Sequence, residues 1–251
     1  MVNTLTIQRV GTTVRITLNR PEAANSLSRE MVQALQEIVY RSYQDGTTLL
    51  VLAGEGRHFC AGFDLSQLES EDDDSLLARF VRIELLLQSV RAAPFTTLAL
   101  GHGRIMGAGA DLFAACEQRW LVGDATLCFP GAAFGLVLGT GRLTRLVGTN
   151  LARDWISSGC NIEPTDALSS GLATASIDTT TLSAALSRLT ERSIRLDSVT
   201  RQSIYFASGE GPATLAEDLQ ALVQSAARSG LKERIQQYRA QARKAVLTKL
   251  V

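Results

Sequence analysis

Two short segments place small residues where an apolar run ends, so that a ligand could reach the backbone. The first is Gly56-Arg57-His58-Phe59-Cys60-Ala61-Gly62-Phe63-Asp64-Leu65, after the apolar run Thr48 to Ala53. The second is Gly103-Arg104-Ile105-Met106-Gly107-Ala108-Gly109-Ala110-Asp111-Leu112, after Thr96 to Leu100. In each, a strand pattern gives way to a helical one. A turn of that kind leaves backbone N–H groups unpaired and pointing outward. Small residues allow a ligand to come close to them. Two such turns from adjacent parallel strands could aim two N–H groups at one oxygen, the arrangement that stabilises a developing oxyanion. Taken singly, each segment fits a tight turn with no ligand equally well. A dinucleotide-binding turn fits neither, because the first glycine turn does not follow the first strand and no G-x-G-x-x-G is present.

The elements that must hold these turns can be read from periodicity. Leu5 to Val10 and Thr13 to Leu18 alternate as two strands joined at Gly11. Ser28 reads as an N-cap, with Met31, Leu35, Ile38 and Val39 at helical spacing behind it. Thr48 to Ala53 is a short apolar run, as expected for a strand covered on both faces, and Thr96 to Leu100 reads as another buried strand. Glu69 to Asp74 reads as a solvated loop or a helix start, and Phe80, Ile83, Leu86, Leu87 and Val90 form a helical stripe. Gly103 to Gly109 reads as a turn, Ala110 to Cys116 as a helix, and Arg119 to Val122 and Thr126 to Phe129 as two strands. After Gly148 strand-like runs nearly vanish. Alternating strands and helices predict an α/β body with parallel pairing and right-handed crossovers. The helical C-terminal stripes, such as Leu215, Leu219, Leu222 and Val223, must cover either this body or a neighbouring subunit.

Composition excludes several classes. The 251 residues carry 25 basic and 25 acidic side chains, so no net charge draws the chain to nucleic acid or an anionic membrane. A hydrophobic content of 45 % is too high for a disordered chain. No apolar run approaches the ~20 residues of a membrane helix. The N-terminal residues lack the pattern of a signal peptide, so a cytoplasmic location is expected. Four scattered cysteines (Cys60, Cys116, Cys128, Cys160) and two histidines suggest buried thiols rather than a metal site or disulfides.

Several ordered motifs together resemble the crotonase superfamily, the enoyl-CoA hydratases and isomerases. They are Asn19-Arg20-Pro21-Glu22-Ala23-Ala24-Asn25-Ser26-Leu27, Phe59 to Leu65, Gly103 to Asp111, Phe134-Gly135-Leu136, Gly139 to Gly148, and Pro164 to Leu172. The similarity covers about the first 180 residues in order. It implies an α/β fold of stacked ββα turns over residues 1–190, and a helical region over 191–251 that builds homotrimers or homohexamers. It implies an acyl-CoA thioester as ligand, with coenzyme A as part of the substrate and no further cofactor. By motif position the two oxyanion N–H groups fall on Phe63 and Ala108. The family usually has glycine at the second place, and alanine is tolerable there only with negative φ. Ala23, Ala24, Ala61 and Leu65 would line the adenine and pantetheine path, and Gly62, Gly107, Phe129 and Gly131 would contact substrate.

The carboxylates then narrow the chemistry. Family hydratases use two glutamates to hold and deprotonate a water. The first position is Asp111 here. The second aligns with Gly131, and no Asp or Glu lies between Ala125 and Asn150. Asp111 is therefore the candidate proton-transfer group, with helix capping as the competing reading. Asp64, His58 and His102 read as structural. Arg104 reads as solvated, or as a partner for an acidic acyl group. Isomerisation, decarboxylation, thioester hydrolysis or C–C cleavage fit one carboxylate better than hydration does. The alternative is a homologue that binds acyl-CoA or a partner protein without chemistry of its own.

Overall fold

Hydrophobic alternation and turn residues build the sheet first. In the computed structural model, which describes residues 4–248, β1 (Leu5–Val10) and β2 (Thr13–Leu18) form a hairpin through Gly11 at φ +58°. β3 (Leu49–Gly54), β4 (Thr96–Met106), β5 (Gln118–Cys128) and β6 (Ala175–Ile177) follow in spatial order. The six strands of this sheet lie in sequence order, and every pairing after β1–β2 is parallel. β3 is apolar throughout because both its faces are covered. Leu50 and Leu52 pack with the N-terminal helix, whereas Leu49, Val51 and Ala53 pack with Ala185 and Leu189 on the other side.

Helix boundaries follow local capping. α1 (Arg29–Ser42) starts where Ser28 Oγ accepts from Met31 N at 3.2 Å. α2 (Asp73–Arg91) starts at a reciprocal Asp72–Ser75 cap, so the acidic stretch is a helix start. α3 (Ala108–Ala115), α4 (Thr140–Val147), α5 (Thr149–Ser158), α6 (Pro164–Ser169) and α7 (Leu182–Ser193) follow, then α8 (Ser198–Ala207), α9 (Pro212–Ala226) and α10 (Leu231–Thr248). Leu222 and Ala226 of α9 and Leu231 and Ile235 of α10 bury against Leu76 and Phe80 of α2. These residues of α9 and α10 therefore cover the chain's own body, whereas Val223 is left exposed.

Three sequence expectations need correction. Arg119 to Phe129 is one strand through Cys128, because Gly123 takes φ +65° and bends the chain without ending it. Gly103 to Met106 is the second half of β4, beyond a register shift between Gly101 and Gly103, so only Gly107 makes the turn. Of the four cysteines, Cys60, Cys116 and Cys128 are buried, but Cys160 is exposed. Burial pushes the Cys60 and Cys116 thiols up to about 12 and Cys128 up to about 11.

Gly109 in α3 is fixed by packing. A Cβ there would lie 2.4 Å from Cys60 O and 2.8 Å from Cys60 Sγ. Gly109→Ala should cost about 1–3 kcal/mol through overpacking, read as a lower urea midpoint at unchanged slope.

Candidate active site

The site begins with a loop that returns to the sheet. After β3 the chain leaves at Gly54 and comes back beside the second half of β4. Cys60 N donates to Arg104 O at 3.3 Å, and Met106 N donates to Cys60 O at 2.9 Å. This brings Gly62 against the start of α3. A Cβ on Gly62 (φ +95°) would lie 2.7 Å from Met106 O and 3.3 Å from Ala108 N, so only glycine allows the approach. On the loop's other side, Leu27 N donates to Gly62 O at 2.7 Å and Asp64 N donates to Leu27 O at 3.3 Å. In that parallel bridge the intervening Phe63 N–H faces away from Leu27. It finds no acceptor among the described residues. Ala108 is the first residue of α3, and its N–H is likewise unmatched.

Ala108 is not among the positive-φ residues, where the non-glycines are Ala24 and Asn25. The alanine is thus accommodated without backbone strain, which meets the condition set by the sequence. The two N–H groups have different origins, however. Ala108 lies at a helix start, whereas Phe63 lies in an extended loop well before α2. The Phe63 ring is clamped. It stacks on Phe80 at 4.4 Å between centroids, and the Arg79 guanidinium lies 4.0 Å above it. Arg79 is held by Glu71 at 2.9 Å, and it donates to Asp64 O at 3.1 Å. Arg20 pairs with Asp64 at 2.7 Å, which makes Asp64 a brace for the loop. Buried Asn25 adds a second brace by donating to Glu55 O and His58 O at 2.8 and 2.7 Å.

Both N–H-bearing residues line one cavity of about 280 Å3. Ala61, Leu65, Gly107, Asp111, Phe129 and Gly131 line it too. Gly62 sits behind that wall. Ala23 and Ala24 lie outside it, at the end of a 3-10 turn over Pro21–Ala23, where Ala24 O accepts from Ala61 N at 2.9 Å. Phe134 and Leu138 join the wall, as do Phe80 of α2 and Ile235 and Tyr238 of α10. The last two were not legible in the sequence, where the tail shows only helical stripes. Arg104 reaches the cavity, but His58 and His102 do not. His58 Nδ1 accepts from Arg104 N at 3.1 Å, and His102 Nε2 contacts Gly56 O at 3.1 Å. Among the described residues, no three His, Cys, Asp or Glu side chains cluster as metal ligands.

Asp111 is the one acidic residue lining the cavity among those described. It is 5 % exposed, and α3 has no side-chain cap, so the capping reading fails. Burial holds its carboxyl well above the usual carboxylate range, and Glu84 and Asp218 add to the rise while Arg142 opposes it. A carboxyl whose folded pKa is raised stabilises the fold least at high pH, because the stability it allows is lost as pH rises through that pKa. Asp111→Asn should therefore melt at a higher temperature than the parent at alkaline pH. The gain should shrink as the pH falls into the carboxylate range, as thermal melts across pH would show.

Residues 13–250 match the family described as enoyl-CoA hydratase/isomerase. YngF of Bacillus subtilis, named for an enoyl-CoA hydratase/isomerase, is 33 % identical over 162 residues, 62 % of this chain and 62 % of that protein. The echA6 protein of Mycobacterium tuberculosis, named for an enoyl-CoA hydratase, is 32 % identical over 162 residues, 63 % of this chain and 64 % of its own. The matches thus span a little under two thirds of these curated relatives. A solved structure from Bordetella parapertussis, described as an enoyl-CoA hydratase/isomerase, superposes with a TM-score of 0.91 at 40 % identity, covering 94 % of this chain and 98 % of that one. An enoyl-CoA hydratase structure from Bacillus halodurans shares the fold at TM-score 0.81 and 18 % identity. The protein belongs to the enoyl-CoA hydratase/isomerase family of the crotonase superfamily and has its fold.

Proposed function

We propose that this protein processes an acyl-CoA thioester by stabilising its enolate, with Asp111 as the single proton-transfer group. The observation that carries this reading is the cavity itself. Two backbone N–H groups without acceptors and one buried carboxyl open onto the same apolar space. A thioester oxygen placed between Phe63 N and Ala108 N would gain charge as the enolate forms. A single donor of this kind is worth ~3–4 kcal/mol in comparable acyl-transfer sites.

The chemistry diverges from two-glutamate hydration. Gly131 lies in a 3-10 turn over Pro130–Phe134 and brings no side chain. Packing does not impose this absence, since a Cβ there would meet Leu136 O at an ordinary 3.4 Å. With one carboxylate on the cavity and none at Gly131, isomerisation, decarboxylation, thioester hydrolysis or C–C cleavage fits better than two-glutamate hydration. Ala23 and Ala24 would flank the nucleotide end of the ligand, and coenzyme A would enter as part of the substrate. No helix among the described residues is long and apolar enough to cross a membrane. Val199, Ile204 and Phe206 of α8 are 73 %, 54 % and 48 % exposed, which supports assembly into homotrimers or homohexamers through the helical region.

Asp111→Asn should reduce turnover at least ~100-fold while leaving acyl-CoA binding intact. The assay pairs calorimetric binding with product analysis on 2-enoyl, 3-enoyl, malonyl-type and aromatic acyl-CoAs. Unchanged turnover in the variant removes Asp111 from the reaction. Tight binding with no product from the parent protein favours a non-catalytic acyl-CoA-binding role.

A further inference from the structure

Behind Asp111, away from the cavity, runs a chain of buried charge that the proposed reaction leaves unused. Arg142 of α4 is 1 % exposed, and its Nη2 donates to Glu84 Oε1 of α2 at 2.8 Å. The same nitrogen lies 3.9 Å from Asp218 of α9. Arg145 pairs with Asp218 and lies 3.5 Å from Glu210, and Glu210 also pairs with Arg91. Three guanidinium groups therefore meet three carboxylates, and the cluster is neutral without Asp111. Asp111 is the fourth carboxyl and makes no ion pair among the described residues. Burial raises Glu84 as well, but Arg142 and Gln88 both donate to it and oppose that rise. An ionised Asp111 would add an unmatched negative charge to a water-poor interior.

A second observation concerns the guanidinium. Arg142 Nε and Nη1 are buried without acceptors, as is Glu84 Oε2 without a donor. Gly139 (φ +64°) explains where the free donors lead. A Cβ there would sit 2.2 Å from Asp111 Oδ1 and 3.1 Å from Arg142 Nη1, so only a glycine leaves room for the carboxyl to lie beside that end of the guanidinium. On the cavity side, Arg104 of β4 and Tyr238 of α10 line the same space as the carboxyl.

We propose that Glu84 and Arg142 are positioning residues with opposite tasks: Glu84 disfavours charge on the Asp111 carboxyl in the empty site, and Arg142 accommodates that charge once the proton is given up. This rests on Asp111 being the proton-transfer group. The first proton movement is then donation. This order fits decarboxylation: the bond from the α-carbon to the substrate's carboxylate breaks, CO2 leaves and the electron pair stays on the enolate; the Asp111 O–H bond then breaks as a C–H bond forms at the α-carbon with that pair. The carboxylate left behind turns to Arg142 Nη1 and regains a proton from water after product leaves.

The test needs no substrate. In infrared spectra taken from acid to alkaline pH, the carboxylic-acid C=O band that Asp111→Asn removes should persist through neutral pH. Glu84→Gln keeps the shape and the acceptor for Arg142 but deletes a negative charge. The band should then vanish about one pH unit lower. Asp218→Asn should move it the same way, and it provides the comparison if Glu84→Gln does not fold. Arg142→Met should move it upward, and Arg142→Lys should restore much of the parent position. A band absent at neutral pH in the parent, or unmoved in folded Glu84→Gln or Asp218→Asn, overturns the proposal. The expected band behaviour without turnover of any acyl-CoA would uphold the positioning role and reject only the catalytic reading.

Discussion

The close approach of Gly62 to Ala108 is the constraint on which the rest of the site depends. It requires two glycine conformations, at Gly62 and Gly107, that side chains rarely adopt. It also requires the loop after β3 to pair with the second half of β4 rather than proceed directly into a helix. The Arg20–Asp64 pair, the Asn25 side chain and the Arg79–Phe63–Phe80 stack all tie down that loop. Arg20, Asn25, Asp64 and Arg79 lie outside the cavity wall, yet with the Phe63–Phe80 stack they decide where the Phe63 N–H points. A site made of backbone donors has no side chains of its own to adjust, so its accuracy is inherited from the packing around it.

Much of this was legible in the sequence, for identifiable reasons. The apolar runs of β3 and β4 announce strands with both faces covered, and Ser28 announces the start of α1. Phe63 and Ala108, the pair proposed to hold the oxyanion, come from motif order, and both residues line one cavity. Failures came where tertiary pairing overrode local signals. Gly103 to Met106 has turn composition but is held as strand by the Cys60–Ile105 bridge. Gly123 looks like a strand terminator but works as a bend. Ile235 and Tyr238 could not be located because their helical stripe does not say which surface it covers. The ion cluster was invisible for a related reason. Its members come from α2, α4, α8–α9 and their connections, and only folding makes Arg142 and Glu84 neighbours.

Local electrostatics also reconcile a neutral chain with the anionic ligand proposed for it. Zero net charge gives no long-range attraction, but binding of phosphates can rest on a few arginines and on helix N-termini. Inside the protein the opposite problem arises. The Arg91, Arg142 and Arg145 cluster is matched carboxylate for guanidinium, so the carboxyl facing the cavity is the one left over. A buried acid in that position is costly to ionise and is therefore suited to move a proton. The stability given up by keeping it there is the usual mark of a site shaped for function rather than for folding.

The most direct measurement is a crystal structure with a non-reactive acyl-CoA analogue, a ketone or thioether in place of the thioester linkage. A ketone analogue should place its carbonyl oxygen about 2.7–3.1 Å from both Phe63 N and Ala108 N. Its α-carbon should face Asp111, and its acyl group should lie between Phe129, Phe134 and Tyr238. A carbonyl bound away from those two N–H groups, or an acyl chain outside this cavity, would contradict the assignment of the site.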